Sequence, residues 1–349
     1  MVRQLFVGAC MAAAMFTGSV QADVTLNGAG ASLPKPMYDK FIQDYTASHP
    51  DVKINYSSVG SGAGIKQISE QTVDFGASDS PMTDKQLSQA KGGALFHIPT
   101  VLGAVVPIYN LPGIDKPVNF SGPVIADIYL GKITSWDDAK IAALNEGVKL
   151  PAKAITVVHR SDGSGTTAIF TDYLAKVSPQ WAAGPGKGST IKWLDNSLGA
   201  KGNEQVAATV QKTEGAIGYV ELIYAASNNI AFGNVQNAAG KFVTASLEGV
   251  LAAASALKEI PPDLRMSITN AQGDASYPIS GLTWILVYEN QKNADKGQAM
   301  VNFLWWATHG GQSLAADLHY APLPKGLLPM VESKLSSIKA NGKTIEPKK

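Results

Sequence analysis

Cysteine is nearly absent from this chain of 349 residues: Cys10 is the only one. A disulfide framework is thereby excluded, and the fold has to hold itself together by burying a core. An excess of one charge is missing too. Lys and Arg number 29 against 28 Asp and Glu, so no polybasic field exists to draw in nucleic acid or a membrane surface. The five histidines, His49, His97, His159, His309 and His319, show no metal-ligand spacing such as H-E-x-x-H, and neither a metal nor a cofactor is expected. No serine occupies a G-x-S-x-G elbow, and the glycine-lysine stretch "GPGKGST" at 184–190 lacks P-loop spacing. Internal repeats, low-complexity runs and coiled-coil heptads are also missing.

The one long apolar run stands at the very start. Residues 5–16 follow Arg3, the sole charge in the first 22 residues, and Val20-Gln21-Ala22 offers small residues at a cleavage point. This is the pattern of a secretory signal peptide, expected over residues 1–22. A transmembrane anchor needs ~20 apolar residues, and this run is shorter and is interrupted by Thr17 and Gly18. Cys10 lies too early for lipid attachment, with apolar residues continuing beyond it. Cleavage after Ala22 leaves 327 residues (349 minus 22), enough for two domains, with 28 basic and 28 acidic side chains once Arg3 is gone.

Within that remainder, short β-branched runs alternate with amphipathic stretches: 24–27, then Met37/Phe41/Ile42/Tyr45, then 52–59, Ile65/Ile68 and 73–77. Such alternation predicts an α/β architecture with a largely parallel sheet. The apolar segment 95–109 is broken by Pro99 and Pro107, and the spacing predicts a crossing between lobes rather than a central strand, because proline cannot donate to a ladder. A second series follows, with strands at 155–160 and 215–221. After a less periodic stretch at 234–276, "LTWILVYE" at 282–289 is strongly strand-like and leads into a helical pattern.

Three glycine turns share one design. "GAGASLP" (28–34), "VGSGAG" (59–64) and "RSDGSGTT" (160–167) each follow a strand and precede a helical pattern. Each sets a hydroxyl, Ser32, Ser61, or Ser164 with Thr166, beside the unpaired backbone N–H groups of a helix start, with Ser32 placed to cap a helix beginning near Pro34. A fourth turn, "DFGASD", ends in Asp79. Taken singly, these are caps, and Arg160 with Asp162 is an ion pair. Four of them at the carboxyl ends of strands mark the edge where open α/β sheets bind ligands. Helix starts and Arg160 favour an anion there.

Order and spacing together carry a further signal. Through "GAGAS", "TVDFGASD", "DIYLGKI" with "WDD", "DGSGT", "KGN", "GAIGYVE" and "YAPLP", the chain resembles the periplasmic phosphate-binding receptors of bacterial phosphate ABC transporters over nearly its whole exported length. The resemblance implies a type II periplasmic binding protein fold, two α/β lobes joined by two crossing hinge segments with the ligand cleft between them. Lobe I is expected over 23–104 and 282–349, lobe II over 105–281. It implies a monomeric, non-enzymatic receptor in the periplasm that delivers phosphate to the transmembrane permease subunits. Carried over position by position, it points to Ser32, Leu33, Ser61, Asp79, Arg160, Ser164, Gly165 and Thr166 as phosphate ligands, with Asp162 holding Arg160. Ser32-Leu33 departs from the threonine and phenylalanine usual in the family, but keeps the hydroxyl and the backbone N–H.

Asp79 tells against the neighbouring ligands sulfate and molybdate. A carboxylate accepts hydrogen bonds only, so it repels a bare dianion and suits one that keeps a proton, as phosphate does. A secreted phosphate-ester hydrolase would need an activated nucleophile or a metal, and the sequence shows neither.

Overall fold

The computed structural model describes residues 24–348. The signal peptide expected over 1–22 and the mature start at Asp23 lie outside the described residues.

Alternation of strand and helix patterns becomes alternation of strands and helices, as the apolar periodicities require. In chain order these are β1 (Val24–Gly30), α1 (Lys35–Ser48), β2 (Val52–Ser58), α2 (Ser61–Ser69), β3 (Phe75–Ser78) and β4 (Leu95–Tyr109). A second series follows with β5 (Thr156–Arg160), α3 (Gly165–Val177), β6 (Leu198–Ala200), α4 (Gly202–Lys212) and β7 (Ala216–Glu221). The chain then returns through β8 (Ser280–Tyr288) and α5 (Ala294–Thr308). One eight-stranded sheet runs in the order β2-β1-β3-β8-β4-β7-β5-β6. Its two wings are parallel, β1 with β2 and β3, and β5 with β6 and β7. Between them, β4 and β8 run antiparallel to each other and to their outer neighbours β7 and β3.

Two lobes arise because β4 changes partners along its length. Its first part, Leu95 to Ala104, pairs with β8, and its second, Val105 to Tyr109, pairs with β7. The return crossing lies alongside, tied by Val105 N–H donating to the Ile279 carbonyl at 2.9 Å. Every residue of β8 is buried, as is nearly all of β4, so the two crossing strands form the floor of the molecule.

This corrects the expectation for 95–109, which is a crossing segment and a central strand at once. Pro99 stands opposite Trp284 at a shift of register, where a ladder bond is lost in any case. Pro107 sends its carbonyl to Gly233 N–H. Its ring nitrogen therefore faces that irregular segment and not β7, and no bond of the β4–β7 ladder is lost. The stretch 234–276 contains the short paired strands Asn234–Gln236 and Phe242–Val243 and the helix Leu247–Ser255. No described helix is long and apolar enough to cross a membrane.

Candidate functional site

All four glycine turns converge between the lobes at the carboxyl ends of β1, β2, β3 and β5. A fifth, after β6, joins them.

Ser32 follows β1 but does not cap α1. Pro34 holds the cap position without a side-chain bond, while Ser32 Oγ accepts from Asn203 N–H at 3.2 Å and Asn203 Nδ2 at 2.9 Å. The reason is competition: Asn203 belongs to the opposite lobe, and its two donors reach the hydroxyl before a local N–H does. Tyr224 O–H donates to the Ser32 carbonyl at 2.5 Å and Tyr320 O–H to the Leu33 carbonyl at 2.6 Å, so this turn is fixed from both sides. The Leu33 side chain is fully buried, which leaves only its backbone to face a ligand.

Ser61 opens α2, and its buried Oγ accepts from Asp79 N–H at 3.2 Å and from Gly165 N–H at 3.0 Å. Two glycines make the close approach possible. Gly60, at φ +93°, has no room for a Cβ, which would lie 2.3 Å from Asp162 Oδ2. A Cβ on Gly165 would lie 2.5 Å from Ser61 Oγ and from Asp79 Cβ. Gly62 N–H donates to the Gly163 carbonyl at 2.9 Å, so the turns of the two lobes touch directly and the cleft is closed.

Arg160 ends β5 with its side chain 1% exposed. Its Nε and Nη2 hold the two carboxylate oxygens of Asp162 at 2.8 and 2.7 Å, and Nη1 points toward Thr166 Oγ1 at 3.5 Å. One edge of the guanidinium is thus committed to Asp162, and the Nη1/Nη2 edge is left for an anion. Partial burial pushes the Asp162 carboxyl up, but Arg160 and the Gly202 N–H outweigh it and hold the group below its ordinary range. Ser164 caps α3 by accepting from Thr167 N–H at 3.0 Å, and Thr166 Oγ1 accepts from Asn203 Nδ2 at 3.1 Å. Arg160 is the only buried cation among the residues these turns bring together, Lys201 of the fifth turn being exposed.

Of the carboxylates in these turns, Asp162 is held by Arg160, and Asp79 alone is buried. Asp79 is 3% exposed, and its Oδ1 has no hydrogen-bond partner. Burial raises its pKa to about 7, against the opposing pull of Thr283, Arg160 and Ser61. Helix starts, hydroxyls and a guanidinium can satisfy the oxygens of a desolvated anion, and a carboxylate with an open lone pair can take a hydrogen from it.

The residue that sequence reasoning missed is Asn203. It is fully buried, bridges Ser32 to Thr166, and accepts from Glu221 N–H at 3.0 Å. Its signal was present in "KGN", a fifth strand-glycine-helix turn, but an asparagine there reads as an ordinary turn former. The less periodic stretch 234–276 also bears on the cleft. Arg265 donates to the Met82 carbonyl and to Asp84, both at 2.7 Å, while Ser267 and Thr269 donate to Asp172 of α3. It fastens the two lobes beside the site.

Two α/β lobes, joined by crossing strands and closed on a pocket of backbone N–H groups, hydroxyls, one guanidinium and one carboxylate, define a small-anion receptor of the two-lobe type. The PBP superfamily domain matches residues 17–308. The phosphate-binding protein PstS of Xylella fastidiosa (strain 9a5c) is 44% identical over 316 residues, covering 90% of this chain and 85% of its own. That of Pasteurella multocida is 43% identical over 325 residues, covering 92% and 93%. The chain belongs to the PBP superfamily and, within it, to the PstS phosphate-binding proteins. In fold it is similar to the high-affinity periplasmic phosphate-binding protein PfluDING, solved with phosphate bound (TM-score 0.71, 22% identity, 89% of this chain and 93% of that one). It is similar also to a phosphate ABC transporter substrate-binding protein of Clostridium perfringens, again with phosphate (TM-score 0.64, 21% identity, 86% and 100%).

Proposed function

We propose that this protein binds inorganic phosphate with high affinity in the periplasm and delivers it to the permease of an ABC importer. Asp79 is the observation that carries the choice of ligand. A buried carboxylate with an open oxygen would repel a bare dianion, and it accepts from one that keeps a hydrogen. The phosphate is held by Ser32, the Leu33 N–H, Ser61, Asp79, Arg160, Ser164, Gly165 and Thr166, with Asp162 fixing Arg160. Closure is a rotation of residues 23–104 and 282–349 against 105–281, a division supported by the change of pairing partner along β4 between Ala104 and Val105. The receptor acts as a monomer and not as an enzyme.

Isothermal titration of the ligand-stripped mature protein tests this reading. Phosphate and arsenate, both protonated near neutral pH, are expected to bind, and sulfate and molybdate are not. Sulfate binding as tight as phosphate would overturn the assignment, and steady release of p-nitrophenol from p-nitrophenyl phosphate would restore the hydrolase reading. Export is expected to remove residues 1–22 without lipidation. The intact mass of the exported protein checks this, and a chain beginning at Cys10 with an added diacylglycerol would refute it.

A further inference from the structure

Behind the pocket, Thr283 of β8 stands next to Asp79. Antiparallel pairing sets Trp284 opposite Ser78 and Ile285 opposite Ala77, and the same register, continued by one residue, brings Thr283 beside Asp79. Between Thr283 and Trp284 the pairing of β8 with β4 shifts, a bulge of the kind that re-aims a side chain beside a site. Thr283 is fully buried and its Oγ1 has no hydrogen-bond partner, which is also the condition of Asp79 Oδ1. Buried polar atoms without partners are uncommon, and two that adjoin each other in register can satisfy one another. From behind, the Thr283 carbonyl accepts from Thr100 Oγ1 at 3.3 Å, and Thr100 Oγ1 shares a hydrogen with Tyr38 O–H at 2.8 Å, so this point of the strand is anchored.

We propose that Thr283 is a positioning residue for ligand selection: its hydroxyl donates to one lone pair of Asp79 Oδ1, leaves the other for the ligand's hydrogen, and so keeps the carboxylate an acceptor. The inference rests on the phosphate reading and adds to it the group that holds Asp79 to its task. Burial drives the Asp79 pKa up, and the Thr283 hydroxyl is the largest influence in the opposite direction, ahead of Arg160 and Ser61. The other groups facing Asp79 are the Gly165 backbone of α3 and, within electrostatic reach, Tyr38 of α1, Tyr56 of β2, Glu221 of β7 and Tyr320. Burial raises the pKa of each of those four titratable side chains.

Without the Thr283 hydroxyl, Asp79 would hold its proton to higher pH. A protonated carboxyl donates, and a donor suits sulfate, which brings no hydrogen of its own. Thr283→Val, which keeps the shape and removes the hydroxyl, is therefore expected to lower the ratio of the sulfate to the phosphate Kd by about tenfold or more, the effect of losing one hydrogen bond to an ionised group. The pH above which sulfate competition fades should rise by about one unit. Thr283→Ser should restore the wild-type ratio and profile, which a purely packing role would not do. Thr283→Ala gives the same expectation as valine should the valine variant fold poorly.

The measurement is phosphate titration with sulfate as competitor, across the neutral pH range, for the mature wild type and each variant. Valine and alanine variants with the wild-type ratio and pH profile would overturn the proposal, as would a serine variant that behaves like valine. A wild type that does not bind phosphate at all would instead overturn the reading beneath it.

Discussion

Arg160→Ala weakens phosphate binding by at least roughly 30-fold. That is the lower bound for truncating a buried, charge-assisted partner, which costs ~2 to 5 kcal/mol. The expectation follows from Arg160 being the only buried cation among the residues the turns bring together, with its side chain 1% exposed and its Nη1/Nη2 edge uncommitted to Asp162. Neutral N–H and O–H donors remain in the variant, but none supplies a full charge against a desolvated anion. Lysine should rescue poorly. A point charge on a flexible stem cannot hold Asp162 with one edge and a ligand with the other. Thermal unfolding of the ligand-free variant is the necessary companion, because Asp162 loses its partner as well. Unchanged affinity in titration, with or without a lower melting temperature, would remove Arg160 from the site and leave it a structural residue.

Asp79→Asn is expected to change selectivity more than affinity. A site built to pair with a ligand's hydrogen rejects an analogue lacking it by ~10⁴ or more. Asparagine turns the acceptor-only group into one that donates and removes the repulsion, so sulfate should gain on phosphate by a large part of that factor. The ratio of the two dissociation constants, at fixed pH and salt, is the observable. A variant that rejects sulfate as firmly as the wild type would move selectivity from Asp79 to cleft shape and backbone donors.

The same substitution has a signature in stability. The Asp79 pKa is raised by burial from 3.8 to about 7. Between those values the unfolded chain has lost the proton while the folded protein keeps it, so the group's contribution to stability is fully present below about pH 4 and is lost as pH rises to about 7. Ligand-free Asp79→Asn should therefore lose less stability than the wild type over that interval. Parallel melting curves against pH would contradict the assignment of Asp79 as the buried titrating group.

Much of this is legible in the sequence alone. The β-branched runs and amphipathic stretches determined an α/β chain, because burial on one helical face or on a strand imposes periods that show in the residues themselves. Glycine followed by serine or threonine at the ends of predicted strands located four turns, because helix starts need caps and close approach needs a missing Cβ. What the sequence could not decide was who meets whom across the cleft. Ser32 had the look of a local cap and is instead held by Asn203, 171 residues further on. Pro99 and Pro107 argued against a central strand, yet β4 is one, since the direction in which a missing N–H points depends on neighbours that folding supplies. Thr283 sat unmarked in an apolar strand until register placed it beside Asp79. Local chemistry wrote the turns into the sequence, because caps and backbone conformation depend on residues a few positions apart. Only the tertiary structure could assemble them into one pocket, because contact between distant residues is set by the packing of the whole chain.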